Sequence, residues 1–157
     1  MNSRHGFEQL VAEAVGVPLE GWDFSWLTGR AVGSDPSWSY PKLAGELVRG
    51  STSLLDIDTG GGELLASLAP LPAGTRAVES WPPNLPVARE RLAPVGVEVL
   101  FAPDTMLPIE AQSVDVVLNR HGRLNPGEVA RVLQPGGRLL TQQVGSEDRA
   151  ELNEALE

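Results

Sequence analysis

The rhythm of apolar positions along the chain changes near residue 53. Before it, Phe7, Leu10, Val11, Ala14 and Val15 recur at the spacing of an amphipathic helix, which Gly16 and Pro18 then end. Leu43, Ala44, Leu47 and Val48 predict a second short helix closing at Gly50. Between them runs an irregular stretch, GWDFSWLTGRAVGSDPSWSYP, holding three of the four tryptophans. From Ser53 onward, short apolar runs at 53–57, 76–79, 97–102, 114–119 and 137–143 alternate with helical segments. Those segments lie at 63–69, 84–92 and 126–133, with a last one at 147–157.

Strands alternating with helices require right-handed crossovers, and these give a parallel sheet with helices on both faces. Adjacent apolar residues within one run (Leu54-Leu55, Val99-Leu100-Phe101, Val116-Val117-Leu118) fit strands buried on both sides. The pattern predicts an α/β fold: a doubly wound, mostly parallel sheet in three αβα layers over residues 51–157. Residues 1–50 are expected to form an N-terminal helical and aromatic cap. In that cap Trp22, Trp26, Trp38 and Tyr40 act either as staples onto the core or as a lid over a ligand. The piece WPPNLP (81–86) reads as a strand exit and helix start, with Asn84 as the cap and Pro86 in the first turn.

Composition narrows the function. The 157 residues are 41% hydrophobic and 21% charged, which suits one ordinary core. A formal charge of −9 opposes a nucleic-acid partner. No stretch is long and apolar enough for a membrane span and Met1–Leu10 has no apolar signal core, so a cytoplasmic protein is expected. The absence of cysteine excludes disulfides and thiolate metal sites, and two histidines (His5 and His121) make a histidine-built metal site improbable, so no metal is expected. Arginine outnumbers lysine eleven to one, without a physical reason in the pattern. The cluster Arg89–Glu90–Arg91 reads as a solvated helix face.

In an open α/β sheet, ligands sit beyond the carboxyl ends of the strands, at the switch point beside the first strand. Here those ends present LLDIDTGGGE (54–63), then Glu79, then Asp104, then Asn119-Arg120-His121. The glycines let backbone N–H groups approach a bulky ligand, and the next helix turns its positive end the same way. Glu79 lies seventeen positions after Gly62, placed to accept both hydroxyls of a ribose. A nucleoside-containing cofactor follows. Leu65 stands where a dinucleotide fingerprint wants glycine or alanine, which weakens the NAD reading, and no GK[ST] follows for a phosphate loop. Asp56, Asp58 and Glu63 would repel a pyrophosphate and attract a cation.

These residues resemble the class I S-adenosylmethionine-dependent methyltransferases. LLDIDTGGGE resembles the glycine-rich first motif, and AVES with NLPVARERL resembles the ribose-binding acid and its helix. FAPDTMLP and SVDVVLNRHG resemble the third and fourth strand ends, and ARVLQPGGRLLTQQVG the helix, glycine turn and fifth strand. The likeness covers about residues 53–144 in the family's order and implies a Rossmann-like core with S-adenosyl-L-methionine as cofactor. It implies that Asp56, Asp58, Thr59, Gly60, Gly61 and Gly62 approach the methionine part and that Glu79 and Ser80 hold the ribose. Trp81, Asp104 and Thr105 would contact the adenine. Asn119, Arg120 and His121 would line the methyl-transfer cavity, with His121 as the base where the acceptor must lose a proton.

Three departures from the family pattern stand out. Asp58 occupies a position where the family has glycine, and there it either binds the cofactor's ammonium or crowds its carboxylate. The segment before Leu107-Pro108 is one residue short, so Pro103 competes with Asp104 for the adenine position. The two further strands that follow the fifth in the family have no counterpart in Gly145–Glu157, and an open fifth strand implies a homodimer over that edge or a truncated chain. The expected function is methyl transfer from S-adenosylmethionine to a small-molecule acceptor. A non-catalytic remnant or assembly module that binds the cofactor weakly or not at all is the alternative, and an NAD-dependent enzyme the third reading.

Overall fold

A computed structural model describes residues 4–18, 25–30, 36–103, 106–145, 148, 150 and 154. Their elements run α1 (Arg4–Val15), α2 (Tyr40–Val48), β1 (Ser53–Ile57), α3 (Glu63–Ser67), β2 (Gly74–Glu79), α4 (Asn84–Leu92), β3 (Glu98–Phe101), β4 (Val114–Arg120), α5 (Pro126–Val132) and β5 (Leu133–Gln142). Short 3-10 turns at Ser25–Leu27 and Ala93–Val95 complete the order.

All five strands are parallel and lie in the order β3-β2-β1-β4-β5. The order reverses beside β1, whose neighbours are β2 and β4, so the carboxyl end of β1 is the switch point of the sheet. Alternation within the strands sorts the core into two layers. Leu54, Ala77, Val99, Val116 and Leu118 pack with Tyr40, Ala44 and Val48 of α2, Leu65 of α3, and Ala88 and Leu92 of α4. Leu55, Ile57, Val78, Val114 and Val117 pack on the opposite face with Val129 and Val132 of α5. Each fully buried side chain of this kind stabilises the fold by roughly 2 kcal/mol relative to exposure. The result is the αβα arrangement expected from the pattern, with a Rossmann-like topology.

Some boundaries differ from the sequence expectation. Asn84 is not the cap of α4: Pro83 holds that position and Asn84 is the first helical residue, buried at 7% exposure. β5 begins at Leu133 rather than 137, because Leu133 already pairs with Val114 and the Pro-Gly-Gly turn is absorbed as a shift of register between Val114 and Val116. The segment expected as a terminal helix, 147–157, falls mostly outside the described residues.

Residues 1–50 divide. The apolar stripe of α1 faces outward, with Phe7 at 67% and Val15 at 81% exposure. α2 belongs to the core, anchored by a serine cap at Ser39 and a proline in its first turn. Tyr40 is the anchor: its hydroxyl donates to Leu140 O (3.1 Å) and accepts from Asn119 N (3.1 Å), joining α2 to β4 and β5. Trp26 stacks under the Arg30 guanidinium at 4.6 Å, Trp38 is half-exposed, and Trp22 lies outside the described residues. β5 closes one side of the sheet, with Leu139 at 38% exposure.

Candidate functional site

The loop after β1 is shaped by backbone constraints. Asp58 adopts φ 54° and Gly60 and Gly62 adopt φ 65° and 80°, left-handed positions at which Asp is one of the few tolerated side chains. Asp58 thus takes the backbone conformation that a glycine would supply at that position. A Cβ on Gly62 would lie 2.8 Å from Leu92 Cγ, so the helix that follows can pack on α4 only through glycine. The loop closes on itself through Gly62 N donating to Thr59 O (3.1 Å) and is tied to β2 by Thr59 N donating to Val78 O (3.1 Å).

Glu79 sits at the end of β2, buried at 3% exposure. Its Oε2 accepts from Gly60 N and its Oε1 from Trp81 N, both at 2.7 Å. One carboxylate therefore holds the glycine loop and the strand exit together, and each oxygen keeps a second lone pair for a ligand hydroxyl. Burial pushes its pKa up, while the Trp81 and Gly60 amides pull it back. Ser80 is half-buried and Trp81 is 48% exposed.

A solvent-open cleft of about 500 Å³ lies over the switch point, lined by Asp56, Asp58, Thr59, Glu63, Leu64, Arg120 and His121. Asp56 is 6% exposed, and burial raises its pKa to about 7; Asp58 and Glu79 add repulsion, and the nearby Thr59 hydroxyl acts the other way. His121 has φ 59° and donates its backbone N–H to Gln142 O (2.8 Å). Burial first, and then Arg120, hold its imidazole below the ordinary histidine value, leaving it neutral and able to take a proton near pH 7. Arg120 Nε donates to Gln142 Oε1 at 2.9 Å, and its guanidinium lies 5.9 Å from the Tyr40 ring.

The structure thus gathers Asp56, Asp58, Thr59, Arg120 and His121 around one cleft, while Gly60 to Gly62 and Glu79 are not among its lining residues. Asn119 is placed differently. It is fully buried, with Nδ2 donating to Ile57 O (3.3 Å) and Arg123 O (3.4 Å), and with Oδ1 accepting from Thr141 Oγ1 (3.1 Å) and Gln143 Nε2 (2.6 Å). Its side chain stitches β1, β4 and β5 together beneath the cleft. Asp104 and Thr105 lie outside the described residues.

Two contacts of the site escaped the sequence pattern. Arg91 reaches from α4 and donates through Nη1 to both Gly61 O and Glu63 Oε1, so it is not merely part of a solvated face. Arg123 donates its backbone N–H to Asp58 Oδ2 (2.7 Å) and its guanidinium to Pro103 O (3.4 Å), tying three strand exits together. Glu63, whose charge was legible in the sequence, is the carboxylate that Arg91 grips. The two contacts span 28 to 30 and 65 positions respectively, and no local spacing rule reports such a pairing.

The donor set suits a cationic nucleoside. Glu63 Oε2 is buried without a hydrogen-bond partner among the described residues, and Glu63 lines the cleft. Carboxylates on the same wall favour a positively charged sulfonium over a pyrophosphate. No group of acidic and histidine residues able to hold a metal occurs among the described residues.

Comparison with known proteins agrees with this fold. A family model described as a methyltransferase domain matches residues 55–141. No curated protein matches the chain. A SAM-dependent methyltransferase from Aquifex aeolicus superposes with a TM-score of 0.57 at 22% identity, covering 85% of this chain and 88% of that one. A SAM-dependent methyltransferase from Thiobacillus denitrificans, solved with S-adenosyl-L-homocysteine, gives 0.52 at 19% identity over 87% and 63%. The YcgJ protein of Bacillus subtilis gives 0.56 at 23% identity over 64% and 48%, so the present chain spans about half of that relative's length. With the match running from the glycine loop through β5, the chain belongs to the methyltransferase-domain family, whose cofactor is S-adenosylmethionine.

Proposed function

We propose that this chain transfers a methyl group from S-adenosylmethionine to a small-molecule acceptor held in the cleft over β1 and β4. The observation that carries the reading is the joining of the glycine loop to Glu79 through Gly60 N at 2.7 Å, beside a cleft walled by Asp56, Asp58, Thr59, Arg120 and His121. Bound there, the cofactor supplies a sulfonium methyl; the acceptor's lone pair forms the new bond as the carbon–sulfur bond breaks and its electrons stay on sulfur.

The chain's own residues position and shelter that displacement. Glu79 offers free lone pairs to the ribose hydroxyls, and Trp81 offers an aromatic face. Asp58 stabilises positive charge at the cofactor's sulfonium end. His121, neutral near pH 7, accepts the proton that a hydroxyl or ammonium acceptor releases. A formal charge of −9 supports a small acceptor over nucleic acid.

The test is calorimetric titration of the wild type and Asp58→Gly with S-adenosylmethionine and S-adenosylhomocysteine, followed by radiolabelled methyl transfer to a panel of small amines, phenols and carboxylates. Binding at micromolar ligand and turnover with at least one acceptor class are expected. Absence of binding in both proteins sinks the reading. One feature favours the second reading, a non-catalytic module: Asp58 Oδ2 is engaged by Arg123 N at 2.7 Å in a position where the family has glycine. That reading expects binding without turnover, and any methyl transfer excludes it. A second copy pairing along the open β5 is part of the proposal, together with a cytoplasmic setting; sedimentation at micromolar concentration tests the dimer, with a monomer counting against it.

A further inference from the structure

The turn that follows β4 holds a conformation its residues would not choose alone. His121 adopts φ 59°, a left-handed backbone that disfavours a residue other than glycine and persists only where the surroundings over-determine it. Three consecutive backbone groups are tied down. His121 N donates to Gln142 O at 2.8 Å, Gly122 O accepts from Gln143 Nε2 at 3.2 Å, and Arg123 N donates to Asp58 Oδ2 at 2.7 Å. The turn is thus gripped by the end of β5 on one side and by the β1 exit on the other.

Two of these ties come from side chains, and the two act differently. Asp58 acts by volume as well as by charge: a Cβ on Gly122 would lie 2.6 Å from Asp58 Cβ and 2.7 Å from Asn119 Nδ2. The turn therefore sits against Asp58 with no space for a side chain at 122. Gln143 acts by donation. Its Nε2 lies 2.6 Å from Asn119 Oδ1, 3.0 Å from Thr141 Oγ1 and 3.2 Å from Gly122 O. Asn119 in turn donates through Nδ2 to Ile57 O and Arg123 O, so one exposed amide joins the end of β5 to both ends of the turn and to β1. Gln143 is not among the residues lining the cleft, whereas Arg120 and His121 are. An exposed side chain buries little, so what Gln143 contributes is the place of the turn.

We infer that Gln143 is a positioning residue that locks the β4 exit turn against Asp58 and so fixes where the His121 imidazole stands in the cleft. The use of that imidazole as a base rests on the methyltransferase reading above; the locking does not. Donation is the property that matters. Glutamate has the same shape and, ionised, no N–H, so it would meet Asn119 Oδ1 and Gly122 O acceptor to acceptor.

The chain has two histidines, His5 and His121, so the imidazole resonances report on the turn directly. Spectra of the ligand-free wild type, Gln143→Ala, Gln143→Glu and Gln143→Lys test the inference; the lysine keeps a donor of similar reach. His5→Gln assigns the signals, and thermal melting shows that each variant is folded. The wild type should give one narrow His121 set. In Gln143→Ala and Gln143→Glu that set should split or broaden with His5 unchanged, and the His121 amide should exchange roughly tenfold faster with solvent. Gln143→Lys should return both readouts toward wild type. S-adenosylhomocysteine affinity, read by calorimetry, should stay within about twofold of wild type in every variant. An unchanged His121 signal in Gln143→Ala and Gln143→Glu overturns the inference, and so does a lowered melting temperature with that signal intact, which marks a purely structural contact. A loss of S-adenosylhomocysteine affinity of about tenfold or more also overturns it, since Gln143 would then act on the cofactor. Failure of the wild type itself to bind S-adenosylhomocysteine removes the methyltransferase reading, while the ligand-free spectra still decide the locking.

Discussion

Replacing Asp56 by asparagine isolates the electrostatic cost of the site. Asp56 is 6% exposed at the carboxyl end of β1, faces Asp58 and Glu79, and has its pKa raised from 3.8 to about 7, chiefly by burial. The folded protein therefore keeps the Asp56 proton up to about pH 7, whereas the unfolded chain releases it near pH 3.8. Between those values the unfolded state binds fewer protons, so the Asp56 contribution to stability falls as pH rises and stays lowered above about pH 7. At about 1.4 kcal/mol per pH unit, the full window corresponds to roughly 4 kcal/mol. Asparagine has nearly the same shape and no titration, so Asp56→Asn lacks this decline. Urea unfolding followed by tryptophan fluorescence, at half-unit steps from about pH 4 to pH 8, reads the difference between the two proteins. Titrating groups not facing Asp56, such as Glu128, are common to both and largely cancel in that difference. The variant's stability relative to wild type should rise by several kcal/mol across the window. A difference constant to within about 1 kcal/mol at every pH would refute the buried-carboxyl argument.

Other perturbations address separate contacts. Glu79→Ala strips the acceptor from Gly60 N and Trp81 N, so stability should drop by roughly 1–3 kcal/mol and S-adenosylhomocysteine binding should weaken, read by melting and calorimetry. Gly62→Ala combines φ 80° with a close approach to Leu92 and should cost roughly 2–4 kcal/mol in denaturant unfolding. Gly61→Ala meets only the side-chain ends of Glu63 and Arg91 and should cost less; equal losses would argue against the backbone reasoning. Tyr40→Phe leaves Asn119 N and Leu140 O without the hydroxyl that joins them, which should cost roughly 1–3 kcal/mol; a neutral result would show that α2 is not fastened to the sheet in this way. His121→Ala should lower turnover by roughly 10²–10⁴-fold with S-adenosylhomocysteine affinity unchanged, and unaltered turnover on a hydroxyl acceptor would remove His121 as the base.

The local pattern determined a good deal of this protein. Runs such as Leu54-Leu55 and Val116-Val117-Leu118 dictated strands buried on both faces, and their alternation with helices dictated a parallel sheet. The loop from Asp56 to Gly62 and the acid at Glu79 were legible because backbone sterics and strand ends act over a few residues. Helix α4 began and ended where its apolar spacing indicated, although its cap was Pro83 rather than Asn84.

Tertiary structure decided what those elements do to one another. The amphipathic spacing of Phe7 to Val15 made a helix but did not reveal that its apolar face would point outward, while the shorter α2 entered the core through Tyr40. Spacing likewise says nothing of Arg91 closing over Gly61 and Glu63, or of Arg123 joining Asp58 to Pro103. Nor does the identity of Asp56 disclose a pKa near 7, since that depends on which layers exclude water from it. Propensity and periodicity are properties of neighbours in sequence, whereas pairing, burial and charge balance are set by neighbours in space, and here the switch point beside β1 brings those two kinds of neighbour together.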